Sequence, residues 1–127
     1  MTDTTISQAI ATAAAEAARD KQAADVVVLD VAALLTITDY FVICSAASAP
    51  QRKAVIEAVE ERIRTDLDRR PVRREGDADG GWLLVDYIDV VVHVFGEEER
   101  AYYDLERLWR DAPRPEWAAA GAARSTG

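Results

Sequence analysis

The sequence is poor in residues that often carry chemistry. Its 127 residues include one cysteine, one histidine and one methionine. A single cysteine cannot form an internal disulfide, and Cys44 lies in the apolar stretch 40–46, where a thiol behaves as a small hydrophobic group. No cation lies near Cys44 in the sequence to lower its pKa. A disulfide-stabilised fold is therefore excluded, and a reactive cysteine is not expected.

Long apolar runs are also missing. No stretch approaches the length that spans a membrane. The N-terminus, MTDTTISQAI, has neither the basic region nor the apolar region of a signal peptide. The sequence therefore predicts a cytoplasmic protein that makes no membrane contact.

Positive charge is the scarcer sign. Lysine and arginine number 15 against 23 aspartates and glutamates, which gives a net charge of −8. Phosphate backbones repel such a surface, so we expect no direct binding to nucleic acid. A basic protein partner fits this charge better.

Apolar periodicity predicts the elements of the first part of the chain. Residues 5–21 have helical spacing, whereas VVVLDV at 26–31 and YFVICSA at 40–46 are typical of strands covered on both faces. Ser48 predicts the N-cap of a second helix, and an apolar stripe extends that helix to Arg69.

The second part predicts three strands and a helix. PVRRE at 71–75 is typical of an edge strand, since proline cannot donate to a ladder and arginines discourage further pairing. The strands at 82–87 and 89–95 are close enough in sequence to require an antiparallel hairpin. A last helix is expected over 97–111. Its buried stripe is expected to comprise Tyr102, Leu105 and Trp109.

These elements predict one α/β domain with a mixed sheet and helices packed mainly on one face. The domain is expected to span residues 1–112. Residues 113–127 contain two prolines followed by small residues, and we expect them to form a mobile tail in which Trp117 folds back only loosely.

The candidate catalytic groups are few. Asp86 and Asp89 flank the hairpin turn, where paired carboxylates can hold a divalent cation, although aspartates are also favoured turn residues. His93 would lie about 13 Å from Asp89 along a strand, too far for a base and its orienting carboxylate. A hydrogen-bonded structural histidine is the favoured interpretation. Ser48 stands at a turn that can cradle phosphate, but capping alone explains it. No catalytic site, metal or cofactor is therefore predicted.

The hairpin has the composition of a binding surface. Alternation places Trp82, Leu84 and Asp86 on one face of the strand, opposite Tyr87. An incompletely covered sheet with aromatic and acidic side chains is typical of a protein interface. The pattern leaves open whether Trp82 is an interface anchor or a core residue.

Two segments closely resemble the ribosomal silencing factor family, RsfS, also called the Iojap or YbeB family. The first is TDYFVICSAAS at 38–48 with Gln51 after it, and the second is GWLLVDYIDVVVHVFGEEERAYYDLERLWRDA at 81–112. The resemblance covers residues 5–112 and does not extend to the tail.

The resemblance implies a nucleotidyltransferase-like fold without the catalytic set, and hence a protein that is not an enzyme. Such proteins bind ribosomal protein fourteen of the large subunit, block subunit joining and repress translation when nutrients are scarce. The free protein is expected to be a homodimer. The resemblance maps the docking surface to Trp82 and Tyr87, with Asp86 and Asp89 as acidic neighbours.

The chain departs from the family pattern at Ala46 and Ile88, where relatives usually have glycine. Ala46 weakens any phosphate-loop interpretation. A β-branched residue resists the positive φ of a tight turn, so Ile88 makes a wider turn an alternative. Two other functions stay open: a metal-dependent nucleotidyltransferase-like enzyme that uses Asp86 and Asp89, and an adaptor for another protein.

Overall fold

Four helices and five strands are assigned along residues 3–118, the part of the chain that the computed structural model describes. In chain order the elements are α1 (Asp3–Asp20), β1 (Ala24–Asp30), β2 (Tyr40–Ser45), α2 (Ala49–Leu67), β3 (Arg73–Asp77), β4 (Trp82–Asp86), β5 (Val90–Phe95), α3 (Glu97–Tyr103) and α4 (Leu105–Leu108). The predicted order is confirmed, except that the last helix is divided in two.

The strands form one five-stranded sheet in the order β1-β2-β5-β4-β3. β2 and β5 are parallel at its centre, and the other neighbouring pairs are antiparallel. This arrangement confirms the predicted mixed sheet and the β4–β5 hairpin. β3 is an edge strand, as predicted, and all its residues are exposed.

α1 and α2 cover one face of the sheet, here called the helix face. Alanines of α1 are fully buried and allow close packing, and α2 contributes Val55, Val59 and Ile63 to the same core. α2 begins as predicted, because the Gln51 N–H donates to Ser48 Oγ at 3.2 Å. Within the described part of the chain, no helix has both the length and the apolar character that membrane crossing requires.

The opposite face, here called the aromatic face, carries Phe41, Trp82, His93 and Phe95. The chain from α3 to Ala112 covers it in part, and this coverage supplies a second, smaller core. The two long helices therefore lie on one face, as the sequence predicts.

The single helix predicted over 97–111 is wrong. Asp104 adopts a left-handed conformation with a φ of 46°, which ends α3, and the chain restarts as α4. Aspartate is among the non-glycine residues that enter this region most readily. A stripe from Tyr102 through Leu105 to Trp109 needs a continuous helix. The break leaves Tyr102 82% exposed while the other two pack on the aromatic face.

Residues 113–118, which the sequence assigns to a mobile tail, contact the domain. The Asp30 N–H donates to the Pro113 carbonyl at 2.8 Å, and the Trp117 ring meets the Tyr40 ring edge-on at a centroid distance of 5.5 Å. Arg19 Nη2 donates to the Ala118 carbonyl at 3.3 Å. A lone tryptophan among small residues shows no periodicity, so its distant partners are not visible in the sequence. The rest of the predicted tail, 119–127, lies outside the described residues.

Candidate partner-binding site

The turn between β4 and β5 is tight. The Asp89 N–H donates to the Tyr87 carbonyl and the Tyr87 N–H donates to the Val90 carbonyl, both at 2.9 Å. Ile88 at its centre has a φ of 75° and is 56% exposed. The wider turn considered for this sequence is therefore not formed. An exposed β-branched residue is instead held in a strained conformation.

Asp86 and the start of β2 hold this strained turn. Asp86 Oδ1 accepts the Ile88 N–H at 2.7 Å, and Asp86 Oδ2 accepts a hydrogen bond from Arg73 Nη2 at 2.9 Å. The Asp89 carbonyl accepts hydrogen bonds from the N–H groups of Asp39 at 2.8 Å and Tyr40 at 3.1 Å. The turn is thus bound on both sides, which offsets the cost of its backbone conformation.

The two candidate metal ligands have different arginine partners. Asp86 pairs with Arg73. Asp89 Oδ2 instead lies 3.9 Å from Nη2 of Arg69, which is in the connection after α2. No three histidine, cysteine, aspartate or glutamate side chains in the described residues are grouped so that they could hold a metal ion. Each carboxylate that the enzyme alternative would use is thus paired with an arginine of its own.

The candidate phosphate turn is closed by internal bonds. The Ala47 N–H donates to the Gln51 side chain at 3.2 Å. Arg52 is buried, and its guanidinium donates to the carbonyls of Ala46 and Ala78, both at 2.9 Å. Cys44 lies in β2, just before this turn in the sequence. Burial raises the pKa of its thiol to about 12, which keeps it protonated.

Tyr87 belongs to the core rather than to the surface. Its side chain is 2% exposed and packs on the helix face. Burial raises the pKa of its hydroxyl well above the ordinary value. The ring therefore supports the turn from beneath. Direct contact between this ring and a partner, which the resemblance implies, would require it to leave the core.

Trp82 lies on the other face and is half-buried. Its ring packs against Tyr103 at a centroid distance of 4.5 Å and against Phe95 at 5.0 Å. Trp82 is thus neither a pure core residue nor a fully exposed interface residue, because part of its side chain packs on the aromatic face and part is accessible. Such a residue can anchor a partner at the margin of a core.

His93 is a structural, hydrogen-bonded residue, as expected. It is 5% exposed, and its Nδ1 accepts the Trp82 Nε1–H at 3.2 Å. Burial lowers the pKa of His93 to about 4, and the nearby Asp86 carboxylate opposes this shift only in part. The imidazole is therefore neutral near pH 7.

The accessible part of the hairpin is called the hairpin strip below. It comprises the aromatic-face residues of β4, Trp82, Leu84 and Asp86, together with Ile88 and Asp89 of the turn. The first three and Asp89 are half-buried, and Ile88 is exposed. The strip thus combines apolar area with carboxylates on one strand and its turn.

Sequence reasoning missed the apolar residues of the loop between β1 and β2. Ile37 is 78% exposed and Leu34 is also exposed. The backbone bond from Asp39 to Asp89 joins the end of this loop to the hairpin turn. The apolar sequence LLTI at 34–37 lies in the loop between two predicted strands, and this was the signal for a second accessible apolar segment.

The model of one protein family, described as ribosomal silencing factor during starvation, matches residues 4–126. Ribosomal silencing factor RsfS of Bacillus subtilis is 42% identical over 103 residues, which cover 79% of this chain and 84% of that protein. The match of the family model extends beyond residue 112, so the family resemblance reaches into the segment that holds Trp117.

Two crystal structures have the same fold. A protein from Chromobacterium violaceum superposes with a TM-score of 0.77 at 34% identity, covering 85% of this chain and 88% of its own. A protein from Bacillus halodurans gives a TM-score of 0.72 at 36% identity, with 85% and 97% coverage. The family match and the shared fold together show that the chain belongs to the ribosomal silencing factor family.

Proposed function

We propose that this chain represses translation by binding the large ribosomal subunit through its basic protein fourteen. Bound there, it prevents the small subunit from joining, with its main effect when nutrients are scarce. Membership of the ribosomal silencing factor family supports a ribosomal role. The observation that carries the docking proposal is the hairpin strip, where accessible apolar area lies beside the carboxylates of Asp86 and Asp89.

The charge of the chain supports a basic protein as the partner. A protein that sits on ribosomal RNA carries basic side chains, and a chain with a net charge of −8 is steered towards them. The same charge repels bare RNA. Contact with the ribosome is therefore expected through protein rather than through nucleic acid.

The hairpin strip suits rapid, rigid docking. Trp82 is packed on one side, so a partner that covers its accessible part does not need to order a free side chain. Ile88 is held outward by a turn that is hydrogen-bonded on both sides. These two side chains are the expected apolar anchors, with Asp86 and Asp89 as acidic neighbours.

Steric exclusion needs no reaction chemistry. A domain seated on the subunit surface that faces the small subunit blocks joining by its volume alone. The proposal accordingly assigns the protein no enzymatic activity, cofactor or metal. It places the protein in the cytoplasm, without a membrane partner and as a homodimer when it is free of the subunit.

Co-sedimentation with isolated large and small subunits tests the proposal. The wild-type chain should pellet with large subunits alone and should reduce the amount of joined ribosomes when both subunits are present. Ile88→Ala should weaken both effects. Leu108→Ala is the matched control, because Leu108 is also an exposed aliphatic residue but lies outside the hairpin strip. Equal binding to both subunits, or none to either, would contradict the proposal and favour an adaptor for another protein.

A further inference from the structure

The hydrogen bond between Trp82 and His93 identifies which imidazole nitrogen carries the proton. The indole Nε1–H can only donate, and it lies 3.2 Å from His93 Nδ1. Nδ1 must therefore be the acceptor. The ring is then the neutral tautomer with its hydrogen on Nε2.

The imidazole is itself held in place. It pairs across the sheet with Ile43 in β2 and Leu84 in β4. The Phe41 ring meets it at 78° with a centroid distance of 5.1 Å, and the Phe95 ring is nearly parallel to it at 6.0 Å. His93 thus presents an acceptor at a fixed point of the aromatic face.

The second imidazole nitrogen, Nε2, indicates that histidine lowers the folding stability at this position. Nε2 is buried and has no hydrogen-bond partner among the described residues. A buried donor without a partner destabilises the folded chain, and an apolar side chain of similar size would avoid this loss. What histidine supplies here, and an apolar residue cannot, is the Nδ1 acceptor for Trp82.

We infer that His93 is the positioning residue of the docking surface, and that its Nδ1 holds the Trp82 ring in the orientation that a protein partner binds. This inference rests on the proposed function. The Trp82 ring packs against Phe95 and Tyr103, but the side chain is only half-buried, so part of it stays accessible. The hydrogen bond at the indole edge removes the remaining rotation before the partner arrives, which lowers the entropy cost of binding.

Three variants of the full chain separate this role from simple packing. His93→Leu keeps a side chain of similar volume but removes the acceptor. His93→Asn places an amide oxygen close to the position of Nδ1, so that the indole can still donate. Trp82→Phe removes the donor and keeps an aromatic ring.

The first measurement uses the free protein. Hydrogen exchange of the Trp82 indole N–H, assigned by its absence in Trp82→Phe, should be slow in the wild type and in His93→Asn. In His93→Leu it should be about tenfold faster, because the hydrogen bond is gone. The ¹⁵N spectrum of the wild-type imidazole should show a proton on Nε2 and none on Nδ1.

The second measurement is affinity for isolated large subunits. His93→Leu should bind about three- to tenfold more weakly, the effect expected of one ordinary hydrogen bond. His93→Asn should recover most of that loss. In the Trp82→Phe background, His93→Leu should have little further effect, because the donor is already absent.

A proton on Nδ1 in the wild type would overturn the inference without any variant. Unchanged indole exchange in His93→Leu would overturn it as well, and so would equal losses of affinity in folded His93→Leu and His93→Asn. A wild-type chain that fails to bind large subunits would instead overturn the proposed function. The exchange and ¹⁵N results would then still decide whether His93 orients Trp82.

Discussion

Trp82 begins β4 and Tyr87 directly follows the strand, and the two side chains lie on opposite faces of the sheet, Trp82 half-buried on the aromatic face and Tyr87 fully buried on the helix face. A single docking partner therefore cannot contact both rings while the fold is intact. This separation assigns different tasks to the two aromatic residues of the motif. We propose Trp82 as a surface anchor, whereas the buried Tyr87 ring supports the turn that carries Ile88.

Alanine substitution should separate these tasks. Tyr87→Ala should cost about 3–5 kcal/mol of unfolding free energy, as for other core aromatics. Trp82→Ala should cost less than this, but should weaken binding to large subunits by about 2 kcal/mol or more. Denaturant unfolding and sedimentation of the same samples provide the comparison. A Trp82→Ala protein that unfolds readily, or one that binds as the wild type does, would remove Trp82 from the docking surface.

Replacing Ile88 should affect stability and binding in opposite directions. Ile88→Gly relieves the strain of a β-branched residue at a φ of 75°, and we expect a gain of about 1 kcal/mol in unfolding free energy. It also removes an exposed apolar anchor, so affinity for the large subunit should fall. Thermal denaturation and co-sedimentation measure the two effects. Ile88→Asn, which also tolerates the left-handed region, is the control for strain relief without glycine flexibility.

Acid should destabilise the fold partly through His93. Burial lowers the pKa of its imidazole from an ordinary 6.5 to about 4. Above pH 6.5 the ring is neutral in both the folded and the unfolded chain, so it adds no pH dependence. As the pH falls from 6.5 to 4, only the unfolded chain gains the proton, and about 3 kcal/mol of stability is lost.

The control for this pH effect is His93→Leu, which has no group to titrate at this position. Unfolding free energies measured by denaturant at a series of pH values should fall more steeply for the wild type than for the variant between pH 6.5 and 4. Below pH 4 the two curves should run parallel. Parallel curves over the whole range would show that the imidazole is not shielded from water as the fold indicates.

Truncation should reveal the packed C-terminal segment. A chain that ends at Ala112 loses the Trp117 contact with Tyr40 and the bond from Asp30 to Pro113, and we expect its melting temperature to fall by several degrees. A chain that ends at Ala118 keeps both contacts and is the matched control. If the two chains have the same melting temperature, the segment does not contribute to stability.

Several structural features could be predicted from the sequence because they depend on local interactions. Ser48 marks the start of α2 because its hydroxyl accepts an N–H that the helix leaves unpaired. The β4 alternation separates Trp82 from Tyr87 because successive side chains on a strand point to opposite faces. A proline and two pairs of arginines at and before β3 indicate an edge strand for the same kind of local reason. Each of these features depends on neighbouring residues alone.

The order of the elements and the mixed sheet thus follow from the sequence alone, which also points to the hairpin as the proposed docking surface. Tertiary structure alone decided the break at Asp104, the packing of Trp117 on Tyr40, the positive φ of Ile88 and the bond from Trp82 to His93. These features join residues that are distant in sequence, or they keep the backbone of a non-glycine residue at a positive φ. Their energy comes from contacts that exist only after the sheet has formed, so no local pattern predicts them.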